Sequence, residues 1–185
     1  DALNAHLDGK RIKRSRTKRL AIHGADGTLP LEYEFSLSAE DIADQPYLAN
    51  YNSLHLDATA DTVRSLVRGQ VVVVERNTMT NSPARATAIQ LGPVLDDVSA
   101  YDGGLGVQWS GKTPTVSVWA PTAKDVSLLL YSNGTSDRMN VMRMTRDNQT
   151  GVWSVRGVPA WKGKYYKFRV NVFVPSLGTV VANES

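Results

Sequence analysis

Apolar and polar positions alternate over short stretches of the chain, and turn residues separate these stretches. Over residues 30–37, Leu31, Tyr33 and Phe35 alternate with polar side chains, which is the period of a half-buried β-strand. Val71–Val74 form a short continuous apolar run, typical of a strand that is covered on both faces. The pattern predicts an all-β fold with little helix.

The C-terminal half repeats this pattern about every ten residues. Its last segment alternates most regularly: one face carries apolar or aromatic side chains, which we expect to build the core of a sandwich, and the other face is largely polar. The core-facing set is Tyr166, Phe168, Val170, Val172 and Val174, and the opposite set is Tyr165, Lys167, Arg169 and Asn171. The strand-like segments are 105–109, 115–119, 126–131, 139–144, 152–155 and 165–174.

Two short helices and one boundary complete the predicted organisation. Ser38 and Asp61 are suitable N-caps for helices over residues 39–42 and 62–67. Residues 92–106 combine a Gly-Pro pair, acidic residues and a Gly-Gly pair, which indicates a linker. We therefore predict two β-sandwich, immunoglobulin-like modules in series, one over residues 1–100 and one over residues 105–185.

Composition excludes several classes of protein. The apolar share of 42% and the charged share of 21% are those of an ordinary globular chain. There is no cysteine, so disulfides, thiolate metal sites and a cysteine nucleophile are excluded. No stretch approaches the roughly 20 consecutive apolar residues that cross a bilayer, and we predict no membrane partner. The compartment stays open.

The net charge of +3 has a local origin. Seven of the 21 basic residues lie between Lys10 and Arg19, and without residues 1–20 the chain has 14 basic and 16 acidic residues. Such a run could bind phosphate backbones in a salt-dependent manner. No aromatic residue interleaves with it to stack bases, so we predict a solvated or domain-facing basic strand and no nucleic-acid partner.

Residues suited to catalysis are scattered without a supporting pattern. Glu32 and Glu34 share the polar face of a predicted strand, and Asp96 and Asp97 lie in the predicted linker, so neither pair is expected to face one sugar as glycoside hydrolysis requires. No glycine pattern indicates a nucleophile elbow. We predict no catalytic residue, no metal site and no cofactor. The histidines fit no metal-ligand spacing: His6, His23 and His55.

Four motifs in the C-terminal half carry a family resemblance. Val118–Ala123 (VWAPTA), followed by Val126–Tyr131 (VSLLLY), resembles the opening of a family 48 carbohydrate-binding module, an immunoglobulin-like sandwich. Gly151–Val155 (GVWSV) and Trp161–Tyr166 (WKGKYY) resemble this module as found in pullulanases and limit dextrinases. Residues 1–100 are similar, less specifically, to the β-rich domain that adjoins the module in those enzymes.

The resemblance implies a parent enzyme that hydrolyses α-1,6 bonds in pullulan, amylopectin or limit dextrin and that is secreted, periplasmic or plastid-located. Its catalytic TIM-type barrel needs about 250 residues, and the barrel motifs are not found in this sequence. We expect an accessory region that binds α-glucan weakly or braces the catalytic domain of the same polypeptide. Because immunoglobulin-like folds host many functions, a stand-alone protein-interaction module without sugar binding is the alternative.

Candidate sugar contacts follow from the same resemblance. Members that bind glycogen use a lysine on the last long strand, flanked by two tryptophans. Lys167 matches that lysine, but no tryptophan lies within 131–144 and Phe173 stands near the second position. Aromatic rings stack on the apolar faces of glucose units, whereas we expect Trp109 and Trp119 to lie in the core. The candidate contacts are Trp161, Lys167, Tyr165, Trp153 and Asn171.

Overall fold

A computed structural model describes residues 3–8, 13–14, 20–21, 25–34, 37–49, 51 and 53–185. Strands dominate and the helices are short, so the predicted all-β fold is confirmed. The chain divides into two compact units: residues 1–59 with 71–89, and residues 60–70 with 90–185. Among the described residues, no helix is long and apolar enough to span a membrane.

The first unit contains a five-stranded sheet. Its strands lie in the order β5-β4-β1-β6-β7, and two further short strands, β2 and β3, pair with each other. Among the described residues of this unit, the α-helix α1 spans Ala39–Asp44 and includes the helix predicted over 39–42. The strands are β1 (Leu3–Asp8), β2 (Lys13–Arg14), β3 (Leu20–Ala21), β4 (Ala25–Glu34), β5 (Ser53–His55), β6 (Gln70–Arg76) and β7 (Pro83–Ala88).

Two sequence patterns of the first unit can be compared with this sheet. The valine run lies in β6, where Val72 and Val74 are fully buried. Of the alternating strand over 30–37, residues 30–34 lie in β4, and Phe35 lies outside the described residues. The basic run also falls largely outside them, except for the two residues of β2.

The second unit consists of two four-stranded antiparallel sheets and two helices, α2 (Ala60–Leu66) and α3 (Gly92–Val98). The first sheet has the order β11-β10-β14-β15 and the second has the order β12-β13-β9-β8. The strands are β8 (Gly106–Ser110), β9 (Thr113–Trp119), β10 (Ala123–Tyr131), β11 (Met139–Arg143), β12 (Thr145–Arg146), β13 (Val152–Arg156), β14 (Tyr165–Val174) and β15 (Thr179–Glu184).

Side chains from both sheets form one hydrophobic core, so the sheets pack face to face. Phe168, Val170 and Val172 of β14 pack against this core, as their alternation predicts. Tyr166 is 37% exposed and contacts Phe168 edge to face, with ring centroids 5.4 Å apart. The buried centre of the core consists of Val116, Ala123, Val126, Leu128, Met144 and Trp153.

The compact units differ from the predicted modules in two segments. The predicted linker contains helix α3, which begins at Gly92 and has Pro93 in its first turn, where the missing N–H of proline costs no intrahelical hydrogen bond. Residues 60–70 group with the second unit, where the Arg68 guanidinium donates to the carbonyls of Ala123 (2.9 Å) and Lys124 (3.0 Å). These contacts join residues that are more than fifty positions apart, which periodicity in the sequence cannot reveal.

Candidate functional site

The first sheet of the second unit has an outer face, on the side opposite the core. Since Phe168, Val170 and Val172 turn inward, the alternating residues of β14 turn outward. Tyr165 and Lys167 are both exposed on this outer face. Residues two apart on one strand lie about 7 Å from each other, so an exposed ring and an exposed ammonium group are neighbours here.

Tyr165 belongs to a row of three side chains that crosses three neighbouring strands on this face. Tyr131 is the cross-strand partner of Tyr165 on one side and of Met139 on the other, and its hydroxyl donates to the Met139 sulfur at 3.5 Å. Tyr165 is the most exposed of the three, with 60% of its surface accessible. We call Tyr131, Met139, Tyr165 and Lys167 the tyrosine patch.

Lys167 occupies the next row of the same face. Its cross-strand partner Leu129 is fully buried, and Leu129 is flanked on its other side by Val141. None of the ion pairs formed within the described part of the chain involves Lys167. The ammonium group therefore keeps its donors available for a ligand at the surface.

Asn171 lies apart from the tyrosine patch. It shares the outer face with Lys167 but is four residues further along β14, about 13 Å away. Between them, Arg169 forms an ion pair with Glu184 of β15, with nitrogen–oxygen distances of 2.8 and 2.7 Å. The structure thus brings Tyr165 and Lys167 together and leaves Asn171 outside their reach.

Trp153 belongs to the core, which corrects its selection as a candidate contact. Only 5% of the residue is exposed, and its indole N–H donates to the carbonyl of Ala120 at 3.1 Å. It lies on β13, a strand flanked by β12 and β9 within the second sheet. Because both its faces and its polar atom are occupied, no ring surface remains for a sugar.

Trp161, another candidate contact, is half-buried and packs against the core. Its ring occupies the space beside Gly157, where an added Cβ would lie 2.3 Å from the ring. The neighbouring residues Pro159 and Lys162 are exposed. Trp161 is the last residue of a 3-10 helix over Pro159–Trp161, and its indole packs inward against the core.

The remaining two tryptophans differ from each other. Trp119 is half-buried, and its indole N–H donates to the carbonyls of Ser99 (2.9 Å) and Thr150 (3.0 Å). Trp109 is 48% exposed, so the expectation that it lies in the core is wrong. It lines an open cleft of about 520 Å³ together with Gly111, Lys112, Pro159 and Lys162, which we call the edge cleft.

Sequence reasoning missed the edge cleft, although one signal was available. Trp109 precedes a two-residue turn of Gly111 and Lys112 that joins β8 to β9, and Gly111 adopts a φ of 59°, as such turns require at their first central position. A tryptophan beside a hairpin turn at the end of a sheet has fewer neighbours to bury it. The edge position of β8 itself is a tertiary feature.

The electrostatics of the second unit indicate structure rather than acid–base chemistry. Backbone N–H groups of Gln149 and then Thr150 lower the pKa of the exposed Asp147 carboxyl, which bonds the Gln149 N–H at 2.8 Å. Burial, and secondarily the charge of Arg68, lowers the pKa of Arg146. Among the described residues no cluster of three metal-ligating side chains occurs.

Two family comparisons cover most of the chain. Residues 5–97 match the pullulanase N2 domain, and residues 104–179 match carbohydrate-binding module 48, the isoamylase N-terminal domain. The chain is 36% identical over 168 residues to pullulanase 1, chloroplastic, of Arabidopsis thaliana and 32% identical over 135 residues to the pullulanase of Klebsiella pneumoniae. These alignments cover 88% and 70% of this chain but 17% and 12% of the relatives.

Solved structures agree with this assignment. The chain matches the Klebsiella pneumoniae pullulanase complexed with maltotriose with a TM-score of 0.81 at 25% identity, over 99% of this chain and 17% of that one. The pullulanase PulA of Klebsiella oxytoca gives 0.80 at 26% identity, over 98% and 17%. The chain therefore belongs to the N-terminal region of a pullulanase-type enzyme, of which it contains the N2 domain and the family 48 carbohydrate-binding module.

Proposed function

We propose that this region serves a starch-debranching enzyme as an accessory module that binds α-glucan weakly through the tyrosine patch. The observation that carries the proposal is that an exposed ring and an exposed ammonium group, which forms no ion pair with any described residue, lie side by side on one sheet face. The Tyr165 ring is 60% exposed and can stack on the apolar face of a glucose unit. Lys167 lies two residues further along β14, about 7 Å from Tyr165, and its ammonium group can donate hydrogen bonds to the hydroxyl oxygens of that glucose unit.

The composition of the patch explains why the binding is expected to be weak. A tyrosine ring offers a smaller stacking surface than a tryptophan ring. None of the residues identified on the outer face is a tryptophan. Val141 is 51% exposed beside this row and adds apolar surface without hydrogen bonds. A related pullulanase of Klebsiella pneumoniae is known in complex with maltotriose, which supports an α-glucan as the ligand class.

Native affinity electrophoresis with amylopectin or pullulan in the gel tests this proposal. The 185-residue chain should be retarded, and Tyr165→Ala and Lys167→Ala should each lose most of the retardation. Tyr101→Ala and Lys124→Ala are matched controls, since Tyr101 is 39% exposed and Lys124 is exposed in the same unit away from the patch. Equal retardation of all four variants would exclude the tyrosine patch as the binding surface.

Bracing of the catalytic domain is a second candidate, favoured by a different part of the second unit. Leu177 and Val180, in the β14–β15 hairpin, are 62% and 46% exposed and offer apolar surface to a neighbouring domain. If they cover a neighbouring domain in the parent enzyme, Leu177→Asp should lower the thermal midpoint of the full-length enzyme. The same substitution should leave the midpoint of the 185-residue chain unchanged. An unchanged midpoint in the full-length enzyme would exclude bracing through this hairpin.

A further inference from the structure

The edge cleft lies on a different sheet from the tyrosine patch. Trp109 is on β8, the edge strand of the second sheet, whereas Tyr165 and Lys167 are on β14 of the first sheet. The cleft has a volume of about 520 Å³, within the range of roughly 300–1,000 Å³ that is usual for small-molecule sites. The edge cleft is therefore large enough for a small ligand and is separate from the tyrosine patch.

The register of the second sheet explains why Trp109 is exposed. Trp109 is the cross-strand partner of Pro114, and the N–H of Gly157 donates to the Pro114 carbonyl at 2.8 Å, so three chain segments lie side by side. The Trp161 ring fills the space beside Gly157 and packs on the core. Trp161 thus closes the core at this end of the sheet and leaves the Trp109 indole outside it.

The lining combines two kinds of surface. The indole of Trp109 and the ring of Pro159 are apolar and rigid, so they lose little conformational entropy when they contact a ligand. Lys112 and Lys162 each bring three N–H donors, and neither forms an ion pair with a carboxylate in the part of the chain that the structure describes. The side chains offer hydrogen-bond donors and no carboxylate acceptor.

An α-glucan complements this lining. Each glucose unit has an apolar ring face, which can stack on an indole, and a rim of hydroxyl, ring and glycosidic oxygens, which can accept hydrogen bonds. We infer that the edge cleft is a second α-glucan-binding site, in which a glucose unit stacks on Trp109 and accepts hydrogen bonds from Lys112 and Lys162. The inference rests on the proposed function only for the class of ligand.

Two sites on one module have a consequence for polymeric ligands. A soluble oligosaccharide occupies each site independently, whereas a long or branched glucan can engage both, and the second contact is then intramolecular. Loss of either site should therefore weaken retention on amylopectin more than it weakens binding of a short oligosaccharide to the other site. This behaviour distinguishes two sites from one extended site.

Tryptophan indole N–H signals in nitrogen–proton correlation spectra test the edge cleft directly. The 185-residue chain is titrated with maltoheptaose, and the Trp109 signal is identified by its loss in Trp109→Phe. We expect the Trp109 signal to shift in a saturable manner, while those of Trp119 and Trp153, whose N–H groups already bond carbonyls, stay in place. Cellohexaose, a β-linked glucan, is the control and should shift the Trp109 signal far less.

Variants separate the two sites. The double variant Tyr165→Ala, Lys167→Ala should keep the Trp109 shift, whereas the double variant Lys112→Ala, Lys162→Ala should raise the dissociation constant read from that signal by about tenfold. Trp109→Phe retains a smaller stacking ring and should keep weaker binding than the original chain. Folding of each variant is checked by its thermal midpoint.

Failure of either proposal has its own signature. If the Trp109 signal does not move while amylopectin still retards the chain through the tyrosine patch, the edge cleft is not a glucan site and the proposed function stands. If the Trp109 signal moves but Tyr165→Ala and Lys167→Ala retain full retardation, the edge cleft stands and the tyrosine patch fails. A shift that the double lysine variant leaves unchanged would contradict the assigned role of the lysines.

Discussion

The β12–β13 hairpin and the β8–β9 hairpin belong to the same sheet and use their tryptophans in opposite ways. Trp153 is 5% exposed and Trp109 is 48% exposed, although both lie on the core-facing side of their strands. Strand β13 has a neighbour on each side, whereas β8 is the edge of the sheet. The place of a strand in its sheet, more than the local sequence, decides whether its tryptophan stabilises the core or is available to a ligand.

The turns of the two hairpins also differ in how closely the rest of the unit packs against them. Gly151, at the end of the first turn, has a φ of 71°, and an added Cβ would lie 2.6 Å from the Cα of Pro121. Gly111, in the second turn, has a φ of 59° and no atom within 4 Å of the added Cβ. One turn is packed against the rest of the unit, and the other extends into open space beside the edge cleft.

Truncating the two tryptophans should give the largest contrast. Trp153→Ala removes a buried ring and its hydrogen bond to Ala120, so we expect a loss of about 3–5 kcal/mol in the free energy of unfolding. Trp109→Ala removes a half-exposed ring at an edge, and we expect a loss below about 1 kcal/mol. Urea denaturation measures both. Equal losses would show that Trp109 also supports the core and would remove the contrast on which the edge cleft depends.

Alanine at the two turn glycines should give an intermediate contrast. Gly151→Ala combines a left-handed backbone with a clash against the main chain of Pro121, and we expect a loss of about 2–3 kcal/mol. Gly111→Ala meets open space and carries the backbone penalty alone, about 1 kcal/mol. Thermal denaturation of both variants, with circular dichroism to verify folding, measures the difference. A larger loss for Gly111→Ala would contradict the open position of that turn.

The smallest expected effect concerns the carboxylate that orders the β12–β13 turn. Because hydrogen bonds from backbone N–H groups hold the pKa of Asp147 below its ordinary value of 3.8, its stabilisation is present above that value and is lost as the pH falls through the lower, folded pKa. Asp147→Asn should therefore lower the urea midpoint slightly at neutral pH.

The same difference should shrink as the pH falls through the lowered pKa of Asp147, because the protonated carboxyl is uncharged and resembles the asparagine amide in shape. The exposure of Asp147 keeps this effect small, since solvent screens its charge. Urea midpoints of both chains at neutral and acidic pH measure it. A difference that persists unchanged at acidic pH would show that the charge of Asp147 is not what orders the turn.

Periodicity predicted the strands of the second unit better than their surroundings. Strand β14 has the predicted bounds, 165–174, because its alternation of apolar and polar side chains reflects one buried and one open face. Helix α3 was predicted as a linker, since its Gly-Pro start and acidic residues resemble a turn, although proline near a helix start is itself a helix signal. Strand β15 was not predicted, because Thr179–Glu184 has little alternation.

The candidate site was only partly predictable for the same reason. The alternation of β14 correctly placed Lys167 and Tyr165 away from the core, because the direction of a side chain on a strand depends only on its position within that strand. The burial of Trp153 and Trp161 and the exposure of Trp109 depend on which strands are neighbours and on Gly157 leaving room for a ring. Gly157 is near Trp161 in the sequence, but the strand order that buries Trp153 and exposes Trp109 joins segments that are distant along the chain.

By itself, the sequence determined that the chain folds into strands, that it resembles a pullulanase accessory region and that the outer face of β14 carries Lys167. Each of these depends on local period or on contiguous motifs. Only the tertiary structure decided that β8 is an edge strand, that residues 60–70 belong to the second unit and that Trp109 lines a cleft. Burial depends on contacts between distant segments, and local alternation indicates which way a side chain points without indicating what covers it.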